Sequence, residues 1–389
     1  MSIFNSLGSN YDFSFVLKSL LTLDGKSDLK KLLEEKYGGR TVLLYKGREA
    51  IELALKLSNL PKGSYVAING FTCFAVYEAI KNAKLNVEYL DISNGELNFS
   101  AATLSKALGK NPRIKVVITQ NTLGYPADIE GISKVCKDNN LILIEDLAHS
   151  VGTKYENNSE AGIVGDFTIL SFSQDKMIDG ISGGALIMKN EFGEQLSSLS
   201  LRQQLIDKLY PFSTFIIRKT YPFVIGKVLH FILKNLKLLS QPMSGGDQIK
   251  KLPGWYSKLI KSQFDKLNDN LNHRKIIASI YAKSINSKIL SPKIVEQISQ
   301  SSNLRFPIFV RNRESLIKFL AENQIFVSDI WYDAPIAPKK YLQLTDYSGQ
   351  CPNSEMASAE ILNLPTHRNV SEETAKNISN LINQWLKYK

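Results

Sequence analysis

The chain has 389 residues, of which 43% are apolar and 22% charged. That balance describes a globular protein with enough apolar surface for two domains, and it excludes collagen-like, coiled-coil and disordered readings. Forty-eight Lys and Arg against 37 Asp and Glu leave a net charge of +11, which admits nucleic acid, anionic lipid or phosphorylated ligands as partners.

Residues 1–40 read as an N-terminal arm. Met1 to Leu21 opens without a basic stretch, and polar residues interrupt its apolar ones, so no signal peptide is expected. From residue 41 to 193 short apolar runs alternate with amphipathic segments, the pattern of an α/β domain with a mostly parallel sheet. The runs are Thr41 to Tyr45, Tyr65 to Ile68, Val87 to Leu90, Lys115 to Thr119 and Leu141 to Glu145. Helical spacing follows at Ala50 to Leu57, Phe74 to Asn82, Ala101 to Leu108 and Asp128 to Asp138. Asp166 to Ser173 and Gly184 to Met188 read as two further strands, separated by a polar, glycine-containing loop.

Three places in this domain carry candidate chemistry. Leu43-Leu-Tyr-Lys46-Gly47-Arg48-Glu49 turns from a strand through glycine into a helix. Amides at such a helix start suit an anion, although many Gly-to-helix turns bind none. Leu141-Ile-Leu-Ile-Glu145-Asp146-Leu-Ala-His149 ends a buried strand in a carboxylate, where α/β sheets place ligands; a helix cap is the plainer explanation of the Asp. Thirty residues on, Ser171-Phe-Ser-Gln-Asp-Lys176 puts a lysine in the turn after a strand, where solvated lysines are common.

Residues 194–255 read as a helical, basic and apolar insertion, closed by a polar stretch at Ser244 to Asp247. Between Leu201 and Lys261 eleven Lys or Arg face only Asp207 and Asp247, a local charge of +9 that accounts for most of the total. No stretch of about 18 uncharged apolar residues occurs, so a membrane span is not expected. Two readings stay open: a helix lying in an anionic membrane interface, or packing on the protein or a dimer partner with the cations reaching outward. No motif supports nucleic acid. Residues 256–389 read as a long helix, Tyr256 to Ser287, followed by a small C-terminal α/β domain that ends in a helix at Ser371 to Lys387.

Cys73, Cys136 and Cys351 are widely spaced and odd in number. They encode neither a disulfide framework nor a zinc site, so no metal is expected and a reducing cytoplasm is the default compartment; the membrane option would add its inner face. GxGxxG and GxxxxGK[ST] runs are absent, which argues against dinucleotide and P-loop chemistry.

Taken together, the anion turn, the strand-end Asp146 and Lys176 about thirty residues later supply what pyridoxal phosphate needs: a phosphate cradle, a partner for the ring nitrogen and an amine. The chain resembles the DegT/DnrJ/EryC1/StrS sugar aminotransferases. The resemblance rests on Gly47-Arg-Glu-Ala, Phe71-Thr-Cys73, Gly124-Tyr-Pro-Ala-Asp128, Glu145-Asp-Leu-Ala-His-Ser-Val-Gly152, Ser171 to Lys176 with Gly183-Gly184, Arg305-Phe-Pro307 and Leu362-Asn-Leu-Pro-Thr-His367.

The resemblance implies fold type I, with a seven-stranded sheet and a smaller C-terminal domain. It also implies a homodimer, pyridoxal 5'-phosphate, and transfer of an amino group from glutamate to a nucleotide-linked keto-sugar for surface polysaccharides. Lys176 would be the Schiff-base lysine, Asp146 the partner of the ring nitrogen, and His149 the contact to the phenolic oxygen. Ser171, Gly47 and Arg48 would serve the phosphate. Cys73 stands where many members stack an aromatic ring, which leaves stacking to Cys73, Phe74 or another group; Asn121 replaces a common His; and Ile249 falls where many have an Asn that crosses the dimer. A sugar dehydratase of the same family, whose branch carries His in place of the lysine, and a non-catalytic regulatory homologue are the alternatives.

Overall fold

The computed structural model describes residues 2–193, 195–242 and 248–387; the expected polar closure at Ser244 to Asp247 lies outside them. Seven strands form the central sheet: β1 (Arg40–Leu44), β2 (Tyr65–Asn69), β3 (Asn86–Leu90), β4 (Ile114–Gln120), β5 (Ile142–Asp146), β6 (Phe167–Ser171) and β7 (Gly184–Met188). Their spatial order is β1-β7-β6-β5-β4-β2-β3. Only β7 runs against the others, pairing antiparallel with β1 and β6. This is the fold-type-I architecture expected above, and six strands deliver their carboxyl ends to one edge.

Alternation along the strands divides the core in two, because successive side chains leave a strand on opposite faces. Val66, Ile68, Val116 and Ile118 meet α3 (Gly47–Leu57) and α4 (Phe74–Asn82) on one face. Ala67, Val117 and Leu143 meet α2 (Leu29–Tyr37), α5 (Ala101–Lys110) and α6 (Ile129–Asp138) on the other. Both faces are covered, so the strands read as unbroken apolar runs. Each fully buried Val, Leu or Ile contributes about 1.5–3 kcal/mol.

After β7 come α7 (Leu201–Thr220) and α8 (Ile225–Asn235). The stretch expected to be helical from Glu194 begins its helix only at Leu201, where the Ser200 side chain accepts from Gln203 N and caps it. The single long helix expected over Tyr256 to Ser287 is two: α9 (Gly254–Phe264) and α10 (Leu267–Ser284). The core they serve changes along α10, whose Leu267 still packs with that of α9. Tyr256, Leu259 and Ile260 pack with the sheet, whereas Ile277, Ala278 and Tyr281 pack in the C-terminal layer. A two-residue turn, Asp265 and Lys266, separates them.

That C-terminal layer is built on an antiparallel pair, β8 (Arg305–Phe309) and β9 (Ile361–Pro365), flanked by α10 and the helix Glu372–Lys387. The N-terminal arm reaches it. Ile3 and Phe4 pair with Ile325 and Phe326, and His367 Nε2 lies 2.9 Å from Phe4 O. Between these contacts and α1 (Phe13–Leu21), residues 9–11 pass beneath the loop after β6.

Candidate active site

The candidate site lies on the sheet edge where β1, β4, β5 and β6 end. Lys46, Gly47, Arg48, Cys73, Asp146, His149, Ser171 and Lys176 line one recess, so all seven residues singled out in the sequence come together, with Lys46 beside them. A second recess adjoins it, bounded by Asp329, Trp331, Ala337 and Pro338 and sharing Lys176, Cys73 and His149 with the first.

β5 sorts its two terminal carboxylates by the same alternation that divides the core. Glu145 turns away from the recess and accepts from the amides of Gly162, Val164 and Gly165 and from the Tyr155 hydroxyl, at 2.6–2.8 Å. Asp146 faces the recess and accepts from Ala148 N at 2.9 Å. Burial raises the pKa of Asp146, opposed by that amide and by the charge of Lys176.

Lys176 is half-buried, and the loss of solvent around its amine lowers its pKa, with Cys73 and Asp146 opposing. Its Nζ lies 4.6 Å from the centre of the Trp331 ring and makes no hydrogen bond among the described residues. The loop beneath it is held firmly. Asn10 Nδ2 donates to Lys176 O at 3.2 Å and to Asp179 Oδ2 at 3.2 Å. Asp175 accepts from Ser9 N and Ser9 Oγ. Asp179 Oδ1 accepts from the Tyr11 hydroxyl at 2.7 Å, and burial, with Asp175 close by, pushes its pKa up to about 7. Arg274 completes the support by donating to Asn10 Oδ1 at 3.0 Å.

His149 Nδ1 lies 3.2 Å from Leu123 N. An amide can only donate, so Nδ1 is the acceptor and the ring proton sits on Nε2. Burial, followed by Lys176 and Arg305, holds the pKa well below the usual histidine value, so the imidazole is neutral and offers one N–H. Its ring stacks on Trp331, with centroids 5.2 Å apart.

The third component is the start of α3. Gly47 passes so close to Ser171 that a Cβ there would lie 2.7 Å from Ser171 Cβ and 3.0 Å from its Oγ. Among the described residues no side chain caps the start of α3. Lys46 is buried, which lowers its pKa to about 8; its Nζ lies 3.5 Å from Gln241 O. Arg48 pairs with Glu78 and donates to Pro242 O at 2.9 Å. The start of a helix, a serine hydroxyl and two cations make an anion cradle.

Some expectations change. Phe74 stacks on Tyr341 at 4.8 Å, so of the two groups proposed to stack on a ring only Cys73 lines the recess. Ile249 packs into the apolar layer beside α3 and α4 and presents no polar group. Neither Arg311, which is exposed, nor Arg313, which donates to the carbonyls of Ser358 and Ile361, lines either recess. Trp331, Tyr332 and the Asn10 support were not singled out in the sequence; the turn position of Lys46 was the only local signal for a buried cation.

A sequence profile described as the DegT/DnrJ/EryC1/StrS aminotransferase family matches residues 28–204 and 250–383, leaving the segment with α8 and most of α7 unmatched. A pleiotropic regulatory protein of Geobacillus stearothermophilus is 23% identical over 350 residues, covering 88% of this chain and 84% of that protein. GDP-perosamine synthase of Escherichia coli O157:H7 is 23% identical over 364 residues, with coverage of 91% and 88%. Among solved structures, Helicobacter pylori PseC, an aminotransferase of pseudoaminic acid biosynthesis, superposes with a TM-score of 0.73 over all of both chains at 17% identity.

Proposed function

The chain belongs to the DegT/DnrJ/EryC1/StrS aminotransferase family, and from that premise we propose that it uses pyridoxal 5'-phosphate to move an amino group from glutamate to a nucleotide-linked keto-sugar, in amino-sugar and surface polysaccharide biosynthesis. The observation that carries the reading is the meeting of Lys176, Asp146 and the α3 anion cradle in one recess.

The residues suit that cofactor. Gly47, with no room for a Cβ beside Ser171, leaves space for a phosphate against the α3 amides, Ser171 Oγ, Lys46 and Arg48. When bound, the cofactor supplies an aldehyde that condenses with amines and a ring that withdraws electrons from the carbon losing its proton. Lys176 Nζ would hold that aldehyde covalently. Its lowered pKa leaves more of the amine neutral near pH 7, as a proton carrier at the reacting carbon requires. The Asp146 carboxylate would keep a proton on the ring nitrogen, and the His149 Nε2–H would donate to the phenolic oxygen. Trp331, over Lys176 and against His149, would exclude water and form a wall for the sugar in the adjoining recess.

The reading extends to a homodimer in the cytoplasm. A panel of nucleotide-linked 3-keto and 4-keto sugars, incubated with glutamate and the cofactor, tests it. Formation of an amino-sugar together with 2-oxoglutarate is expected; bound cofactor with no turnover on any panel member would favour a regulatory protein, and loss of a sugar hydroxyl without amine transfer a dehydratase.

A further inference from the structure

The segment between β7 and α9 presents an apolar surface that the active-site reading does not use. α7 packs between α1 and α8. Phe13 of α1 meets Phe215 of α7 with ring centroids 5.9 Å apart. α8 starts in backbone contact with the end of α7, since a Cβ on Gly226 would lie 2.3 Å from Ile217 O. The inner side of α7 buries Ile206, Tyr210 and Ile217, yet its outer side is apolar as well. Leu21, Leu201, Phe212, Phe223 and Phe231 are exposed, by 74%, 82%, 44%, 73% and 68%. A monomeric soluble surface rarely gathers so many large apolar side chains in one region.

Along α7 and α8 the exposed charge has one sign. No Asp or Glu occurs between Lys208 and Gly246. Arg202, Lys219, Lys227, Lys234 and Lys237 are exposed, and among the described residues none is in a salt bridge. Lys219 lies 5.7 Å from the Phe215 ring and Lys227 5.4 Å from the Tyr221 ring, so cations and aromatics are interleaved. No described helix is long and apolar enough to cross a membrane.

We infer that α1, α7 and α8 form a platform that rests on an anionic phospholipid surface, with the apolar side chains entering the headgroup boundary and the five cations facing the lipid phosphates. Charge complementarity selects this occupant. A second copy docked by the same face would oppose cation to cation, because a two-fold contact sets a patch against itself, whereas an anionic bilayer supplies both the missing negative charge and the apolar phase. The segment also lies largely outside what the family shares, so it is not needed for the common fold. The inference stands whatever sugar the site accepts.

Vesicle flotation of the full-length protein tests it, with phosphatidylcholine alone against phosphatidylcholine containing about a third phosphatidylglycerol. The protein is expected to float with the anionic vesicles, to remain below with the neutral ones, and to be released by about 0.5 M salt, where charges are screened within a few ångströms. Lys227→Glu with Lys234→Glu should lower partitioning by about 20-fold or more, since each lysine near a charged surface contributes about fivefold. Phe231→Asp should lower it as well, and because these side chains are exposed the variants should melt at the wild-type temperature. Absence from both vesicle fractions overturns the inference. So does anionic binding left unchanged by all three substitutions, which would assign it to net charge elsewhere. Concentration-dependent self-association that Phe231→Asp abolishes, without flotation, would give the face to a second copy.

Discussion

The side-chain amide of Asn10 donates to the backbone carbonyl of Lys176 at 3.2 Å, across 166 positions of sequence. The same amide reaches Asp179, and its oxygen accepts from Arg274. One residue of the N-terminal arm thus joins the lysine loop to α10. Asn10→Ala should cost about 1–3 kcal/mol of stability, because it leaves buried polar groups without partners. It should also shift the pH profile of kcat by altering how Lys176 is held. Denaturant melts and pH-rate profiles check the two effects separately; a melt unchanged from wild type would show that the bonds carry no net stability.

Lys176→Ala should abolish the covalent attachment. Borohydride treatment of wild type with pyridoxal phosphate should fix a pyridoxyl group on the peptide containing Lys176, and the mutant should take up none there. Turnover should fall by at least the 10²–10⁴-fold that a positioned proton carrier contributes. Mass spectrometry of the reduced protein decides: a label elsewhere at wild-type stoichiometry would remove Lys176 from its role.

Asp146→Asn keeps the size of the side chain but removes the negative charge that would hold a proton on the ring nitrogen. The expected result is an unchanged melting temperature to within about 1 kcal/mol, because Asn can still accept from Ala148 N, with kcat lowered by about 10²-fold or more. Steady-state kinetics with the panel substrates provide the measurement.

The cradle should weaken at alkaline pH. Lys46, with its pKa lowered to about 8 by burial, is charged below that value and loses its charge as the pH rises through it. A phosphate monoester has completed its second ionisation by then, so only the protein's charge changes. Affinity for pyridoxal phosphate should drop about tenfold between pH 7 and pH 9, the size of a lost charge-assisted hydrogen bond. Lys46→Gln should start weaker and show a flat profile. Titration followed by fluorescence would detect either behaviour.

Gly47→Ala places a methyl group within 2.7 Å of Ser171 Cβ, which the backbone can relieve only by moving α3 away from β6. A loss of about 1–3 kcal/mol is expected, with cofactor affinity falling in parallel because the amides and the hydroxyl separate. Thermal melts with and without pyridoxal phosphate check both.

The sheet was legible because buried parallel strands leave unbroken apolar runs and each is followed by a segment of helical spacing. Asp146 and Ser171 were visible as strand ends, where the strand fixes which way its last side chain points, whereas Lys176, in the turn five residues past β6, stood out only through the family resemblance. Asn10 and Trp331 were not. Their roles depend on contacts over 166 positions or more or on a stacking partner such as His149, and no local pattern encodes either. The break between α9 and α10 was hidden because helical character continues across it and Leu267 and Leu271, just after it, still pack in the core that α9 serves.

The path of the arm also sets a limit on biosynthesis. Ser9 holds Asp175 beside Lys176, yet its own carbonyl accepts from Asn369 Nδ2 at 2.6 Å, 360 positions away. Residues 9–11 therefore have all their bonds only once residue 369 has been made. Contacts of such sequence separation are slow to close, and the loop that carries Lys176 gains its full support only after residue 369 has followed it.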